Sequence, residues 1–250
     1  MIIMSPLNLP DKIINNTIKD DLLNWYSTNT LIRSFIQAIP FGAVVDNMLT
    51  VSYNNILVER AKTFYDELDK GEILLNEEII RNEDFLHAYF ATFKAAIYTK
   101  QREKIRFFAR LLKSSFEEKG FSEADEYDDY LKILDELSFR EIFMLYTLKT
   151  YEDSVELSDS PKDEDENDEL RIASRYWTSF YKEINRAISI SYSEFKGLIS
   201  RLVRTGCYSP ITSMTPGYEG DVGKTTEVFA KLIKFIELNG DDFVYFRKVI

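Results

Sequence analysis

Apolar side chains return at every third or fourth position along most of this chain, and that spacing leaves few folds open to it. Val45, Leu49, Tyr53, Leu57, Ala61, Phe64 and Leu68 make one such series. Because an α-helix turns once in about 3.6 residues, the series falls on a single helix face and predicts one long rod ending near Gly71. Ile14, Ile18, Leu22 and Trp25 mark an earlier helix after Pro10. Leu86, Tyr89 or Phe90, Phe93 and Ile97 mark the next stripe, and Ile105, Phe108, Leu112 and Phe116 another that ends at Gly120. The short YTKQRE connection between these two predicts either an antiparallel helical hairpin or one kinked helix. Sandwiches and barrels spend Gly and Pro on their turns. Nine glycines and six prolines in 250 residues are too few for such a fold.

Helix starts are written into two short segments. SEAD (122–125) and SFRE (138–141) both match the capping box, in which a serine hydroxyl accepts from the third helical amide and the acidic side chain reaches back to the serine amide. Ser122 therefore opens a helix carrying Tyr127, Leu131, Leu134 and Leu137. Ser138 opens one through IFMLYTL (142–148), a run apolar on nearly all sides, as expected of a helix buried on several faces. Further on, Ala173, Trp177, Phe180, Ile184 and Ile188 predict a long amphipathic helix, and residues 191–206 a shorter one closed by Gly206. A last helix starts near Thr225 or Thr226, and FVYFRKV (243–249), rich in aromatic and β-branched residues, reads as a short strand.

The net charge of −11 is unevenly spread. Residues 158–169 carry seven acidic side chains and one basic, too polar a run to bury surface of its own, and predict a disordered acidic insertion. Residues 170–250 are net +4, the only part of the chain whose balance suits a polyanion. The single cysteine, Cys207, permits no internal disulfide and fits a reducing, cytoplasmic setting. No secretory leader is apparent at the N-terminus. The most apolar stretch, 35–51, is broken by Gln37, Pro40, Asp46 and Asn47, so no membrane partner is expected.

Residues 216–226, PGYEGDVGKTT, end in the letters that close a phosphate-binding P-loop. The motif needs a glycine five residues before Gly223, where this chain has Tyr218, and a buried strand ahead of it. No nucleotide is therefore expected at Gly223, Lys224 and Thr225. Gly217 and Gly220 instead turn a hairpin, followed by a helix cap. Glu83, Asp84 and His87 could share a helix face, but the chain has no second histidine to complete a two-metal bundle site. The cluster Glu123, Asp125, Glu126, Asp128 and Asp129 lacks the glycine and alternation of a calcium loop. No catalytic residue, metal or cofactor is predicted.

The C-terminal order of helix 138–152, helix 170–188, helix 193–205 and then CYSPITSMTPGYEGDVGKT resembles a winged-helix domain. The resemblance implies that Ser193 to Thr205 is the helix presented to a partner and that Tyr208 to Gly223 is the wing. If the partner is DNA, it implies that Lys196, Arg201, Arg204 and Lys224 meet phosphates or base edges. The N-terminal half, with IPFGAVVD (39–46), resembles helical proteins of bacteria and their prophages. The chain is thus expected to be mainly α, with a helical bundle over 1–136 and a winged-helix-like unit with a short β-hairpin over 137–250. Its expected role is non-enzymatic protein–protein binding, with a protein partner or a second copy of itself. The alternative is a DNA-binding transcriptional regulator acting through residues 193–224.

Overall fold

The computed structural model describes residues 49–70, 83–117, 124–156, 166–212 and 222–247. Over these the protein is mainly helical, with one small antiparallel sheet near the C-terminus. The helices expected before Val45, the Ser122 cap, the acidic run up to Asp165 and the turn at Gly217 and Gly220 lie outside the described residues.

Helix α1 (Leu49–Asp69) and α2 (Glu83–Tyr98) run antiparallel, and α3 (Glu103–Glu117) packs on both. Phe64 and Tyr65 each place their ring 5.5 Å from that of Phe93, and Arg60 Nη1 donates to Ile97 O at 2.8 Å. The buried face of α2 is set by Phe85, Tyr89, Thr92, Phe93, Ala96 and Ile97. It is rotated slightly from the expected stripe, because Phe85 rather than Leu86 enters the core and Phe90 stays exposed. The chain breaks helix at Thr99–Arg102, which settles the YTKQRE connection in favour of two helices. Gln101 Oε1 there accepts from the Phe139 amide at 2.6 Å, tying the break to a distant helix start.

Helix α4 (Ala124–Glu136) leads into α5 (Phe139–Glu156) through Leu137 and Ser138. The Ser138 capping box forms: its amide donates to Glu141 Oε2 at 2.8 Å, and the Glu141 amide donates to Ser138 Oγ at 3.3 Å. As its composition predicts, α5 is enclosed on several sides, with Phe139, Ile142, Phe143, Met144, Leu145, Thr147 and Leu148 all buried. The long α6 (Glu166–Ile188) packs along α5, and α7 (Tyr192–Arg204) follows a tight turn at Ser189, whose φ is 52°. Strands β1 (Tyr208–Pro210) and β2 (Gly223–Thr225) pair antiparallel, Tyr208 opposite Thr225 and Pro210 opposite Gly223. Helix α8 (Glu227–Phe235) is capped by Thr226, whose side chain accepts from the Phe229 amide.

Over its described residues, 243–247, the expected strand is not one. A 3-10 turn (Gly240–Phe243) passes into a short helix, α9 (Val244–Arg247). Two local causes override the strand propensity of FVYF. Asn239 and Asp242 form a capping box, with the Asn239 amide donating to Asp242 Oδ2 at 3.1 Å. Helical spacing also puts Phe243 and Phe246 on one side, against Phe139 and Phe143, where a strand would send them to opposite faces.

The buried side chains form one continuous cluster from Phe64 to Phe246. Phe107 meets Phe139, and Tyr130 meets Phe235 at 4.9 Å between rings. Within this apolar interior sits one strongly charged hub. Arg110 on α3 holds Glu67 of α1 at 2.5 Å and Asp242 at 3.0 Å, and its Nη1 also reaches the Ile236 carbonyl. Burial alone would raise the Glu67 pKa, but bonds from Lys70 and Arg110 outweigh it and hold the carboxyl below its ordinary value.

Candidate recognition surface

Helix α7 owes its position to both of its ends. Ser191 caps it with a full capping box: the Ser191 amide donates to Glu194 Oε2 at 2.8 Å, and the Glu194 amide donates to Ser191 Oγ at 3.3 Å. Bonds from the Ser191 amide and hydroxyl hold the Glu194 carboxyl below its usual pKa. At the other end Gly206 turns the chain at φ 73°, a left-handed conformation that costs glycine little. Its carbonyl then accepts from Thr226 Oγ1 at 2.6 Å. The start of α8 and the end of α7 are thereby joined across the hairpin.

Phe195, Ile199 and Leu202 bury one face of α7 against the Trp177 and Phe180 side of α6. Val203 is 42% exposed, and Tyr192 is 43% exposed. They lie with Lys196 on one flank of the outer face, whose central stripe is Gly197, Ser200 and Arg204 at three- and four-residue spacing. A methyl group placed on Gly197 would meet no described residue within 4 Å. Beside the stripe lies the hairpin. There the Tyr208 ring covers Gly223 so closely that any Cβ at 223 would overlap the ring and the Ser209 carbonyl.

The four basic residues singled out from sequence have different surroundings. Arg201 is turned toward α5 and grips Glu141 with two nitrogens, Nε to Oε1 at 3.0 Å and Nη2 to Oε2 at 3.2 Å. Glu141 is itself only 2% exposed, so this contact belongs to the architecture. Lys224 pairs with Glu169 on the first turn of α6 at 2.8 Å, and both side chains are about half exposed. Lys196 lies 5.2 Å from the Tyr192 ring centre, in a cation–π contact. Arg204 is exposed and makes no ion pair with another described residue.

The GKT segment is extended and paired as β2, so its backbone does not curl as a phosphate cradle would. Its threonine is already engaged: the Thr225 amide donates to Glu152 Oε1 at 2.7 Å, and its hydroxyl donates to Glu152 Oε2. Burial raises the Glu152 pKa and outweighs these bonds, which favour its ionised form. Cys207 is fully buried next to this strand, and burial pushes its thiol up to about 11, away from the range of a nucleophile. Among the described residues no group of three or more His, Cys, Asp or Glu side chains converges as a metal site would, and no helix is long and apolar enough to cross a membrane.

The spacing rules missed Glu152 and Glu169, whose partners lie 73 and 55 residues away in the chain. They also missed the Ser191 box, although SYSE (191–194) carries the same signature as SFRE. Compared with known proteins, the chain matches no family model, no curated protein and no solved structure.

Proposed function

We propose that the chain is a non-enzymatic binding protein that recognises another protein through the outer face of α7 and the adjoining hairpin. The observation that carries this reading is Gly197. A glycine inside a helix costs about 1 kcal/mol relative to alanine. No described residue requires one here, because none lies within 4 Å of a methyl group placed on it. What a bare backbone at mid-helix offers is close approach by something else. On the same side of the helix stand Ser193, Ser200 and Arg204, with Tyr192 and Val203 exposed along its flank. Tyrosine and arginine are enriched at protein interfaces. The pairing of Arg201 and Lys224 with the chain's own carboxylates lowers the positive field of the surface, which favours a protein partner over a polyanion.

The test separates binding from folding. Gly197→Ala is expected to raise stability by about 0.5–1 kcal/mol, since it only removes backbone freedom from the unfolded chain. The same variant is expected to lose the partner that wild type retains in affinity capture from source-cell lysate, or to lose self-association in sedimentation velocity. Capture and self-association unchanged in Gly197→Ala and in Val203→Asp would end the proposal.

A second reading, duplex DNA, is favoured by a different observation. Lys196, Ser200 and Arg204 recur at four-residue spacing along the outward stripe of α7, and the hairpin flanks it, in the order that resembles a winged helix. Gel shift at low salt checks it, and the absence of any binding by wild type and by charge-neutralised variants alike would dismiss it.

A further inference from the structure

Three carboxylates hold the hairpin and α7 in place, and only one of them is exchangeable. Glu141 is buried and committed both to the α5 cap and to Arg201. Glu152 is engaged by two groups of Thr225. Glu169 differs: its side chain is 54% exposed, its partner Lys224 is 50% exposed, and one 2.8 Å contact joins them. An ion pair open to water on both sides is weak and is readily exchanged for another anion.

We propose that Glu169 occupies Lys224 in place of a backbone phosphate, and so masks a duplex-DNA surface formed by Lys196, Arg204 and Lys224. This inference rests on the DNA reading above and deepens it. Lys224 stands on β2, and the partner strand β1 follows directly from the C-terminal end of α7, where Arg204 lies. A backbone lying along α7 would therefore pass from Lys196 and Arg204 toward the hairpin. There it would find Lys224 already neutralised. The masking acid comes from the first turn of α6. A phosphate approaching Lys224 must thus displace Glu169. Any event that removes negative charge from this turn, including binding of a cationic partner to it, unmasks the lysine.

The prediction is quantitative in salt. Each phosphate neutralised by a cation adds about 0.9 to the magnitude of the slope of log K against log salt. Glu169→Gln frees Lys224 and should steepen that slope by about 0.9, so its advantage over wild type grows about 3.5-fold between 200 and 50 mM salt. The assay is fluorescence anisotropy of a labelled random-sequence duplex with the full chain, for wild type, Glu169→Gln, Glu169→Gln with Lys224→Gln, and Arg204→Gln. Support requires tighter and steeper binding by Glu169→Gln, reversed when Lys224 is also neutralised. If wild type binds and Arg204→Gln weakens it, but Glu169→Gln matches wild type in affinity and slope, masking is refuted and the DNA reading survives. If no variant binds at 50 mM salt, the DNA reading fails and the masking fails with it. Thermal melting of Glu169→Gln should match wild type, since both side chains of the pair are half in water.

Discussion

Charge reversal at Arg201 and Arg204 is the natural way to probe α7, and the sequence alone suggests that both would leave stability untouched. The structure divides them. Arg201→Glu removes a two-point contact to Glu141 and sets a second carboxylate beside one that is 2% exposed. Hydrogen bonds to charged groups contribute about 1.5–3 kcal/mol, and a partner left buried without its cation adds a desolvation cost. The Arg201 side chain is 52% exposed, so water screens part of both effects. Glu141 also keeps its bond from the Ser138 amide. A loss of about 2–3 kcal/mol follows, to which Arg201→Gln should contribute roughly half. In a chain of 250 residues, about 2–4 °C of melting temperature accompanies each kcal/mol. Arg201→Glu should therefore melt roughly 5–10 °C below wild type, and Arg204→Glu within about 1–2 °C of it. Differential scanning calorimetry with urea unfolding as a cross-check reads both. Equal melting of the two variants, or a larger drop for Arg204→Glu, would refute the assignment of Arg201 to the framework. The practical consequence is that lost binding in an Arg201 variant says nothing about the surface, whereas lost binding in Arg204→Glu does.

Arg110→Met removes the Arg110 cation from Asp242 and from Glu67, which keeps only Lys70, and with those acids 3% and 6% exposed should cost about 3–5 kcal/mol in urea unfolding. Adding Glu67→Gln and Asp242→Asn should recover most of that loss, because no buried charge is then left unpaired. Gly223→Ala forces a methyl group into the Tyr208 ring and the Ser209 carbonyl, and should destabilise the fold by about 3 kcal/mol. Tyr208→Ala would not rescue it, since the carbonyl stays. Lys104 is buried with its Nζ on the Asp135 carbonyl, and desolvation lowers its pKa to about 8. A base depressed in the folded state is protonated more readily by the unfolded chain, so stability should rise with pH from about 8 toward the unfolded value near 10.4. The gain between pH 8 and 9.5 should be roughly 2 kcal/mol at most, and absent in Lys104→Met. Higher in pH the sign reverses. Burial raises Tyr65 to about 12 and raises Tyr89 and Tyr127 as well, so the unfolded chain loses tyrosine protons first and stability falls above about pH 10.

What could be read from the sequence was local. Helical periodicity placed most of the described helices, because the spacing of Phe64 and Leu68, or of Trp177, Phe180 and Ile184, is itself the helix geometry. The Ser138 box could be read because capping is a contact between residues three apart. FVYFRKV misled because strand propensity is a weak statement about packing, and the packing here was decided by Asn239, Asp242 and the ring cluster of Phe139 and Phe143. The four basic residues of the candidate surface were visible, but their electrostatic surroundings were not. Those depend on Glu141 and Glu169, which the fold brings in from 60 and 55 residues away.

That dependence bears on how an acidic chain can present a recognition helix at all. The carboxylates near α7 are not spread at random over it. Glu194 caps the start of the helix, Glu141 and Glu152 fix the helix and the hairpin to α5, and Glu169 sits at the rim. Burying an acid against Arg201 spends one positive charge of α7 on architecture. The same contact fixes the rotation of the helix, so that Gly197, Ser200 and Arg204 beside it face outward. A surface built this way gains a fixed shape and gives up field strength. Its selectivity must then come from what fits closely over Gly197, which is why substituting that residue, more than any charge, decides whether α7 is a recognition helix.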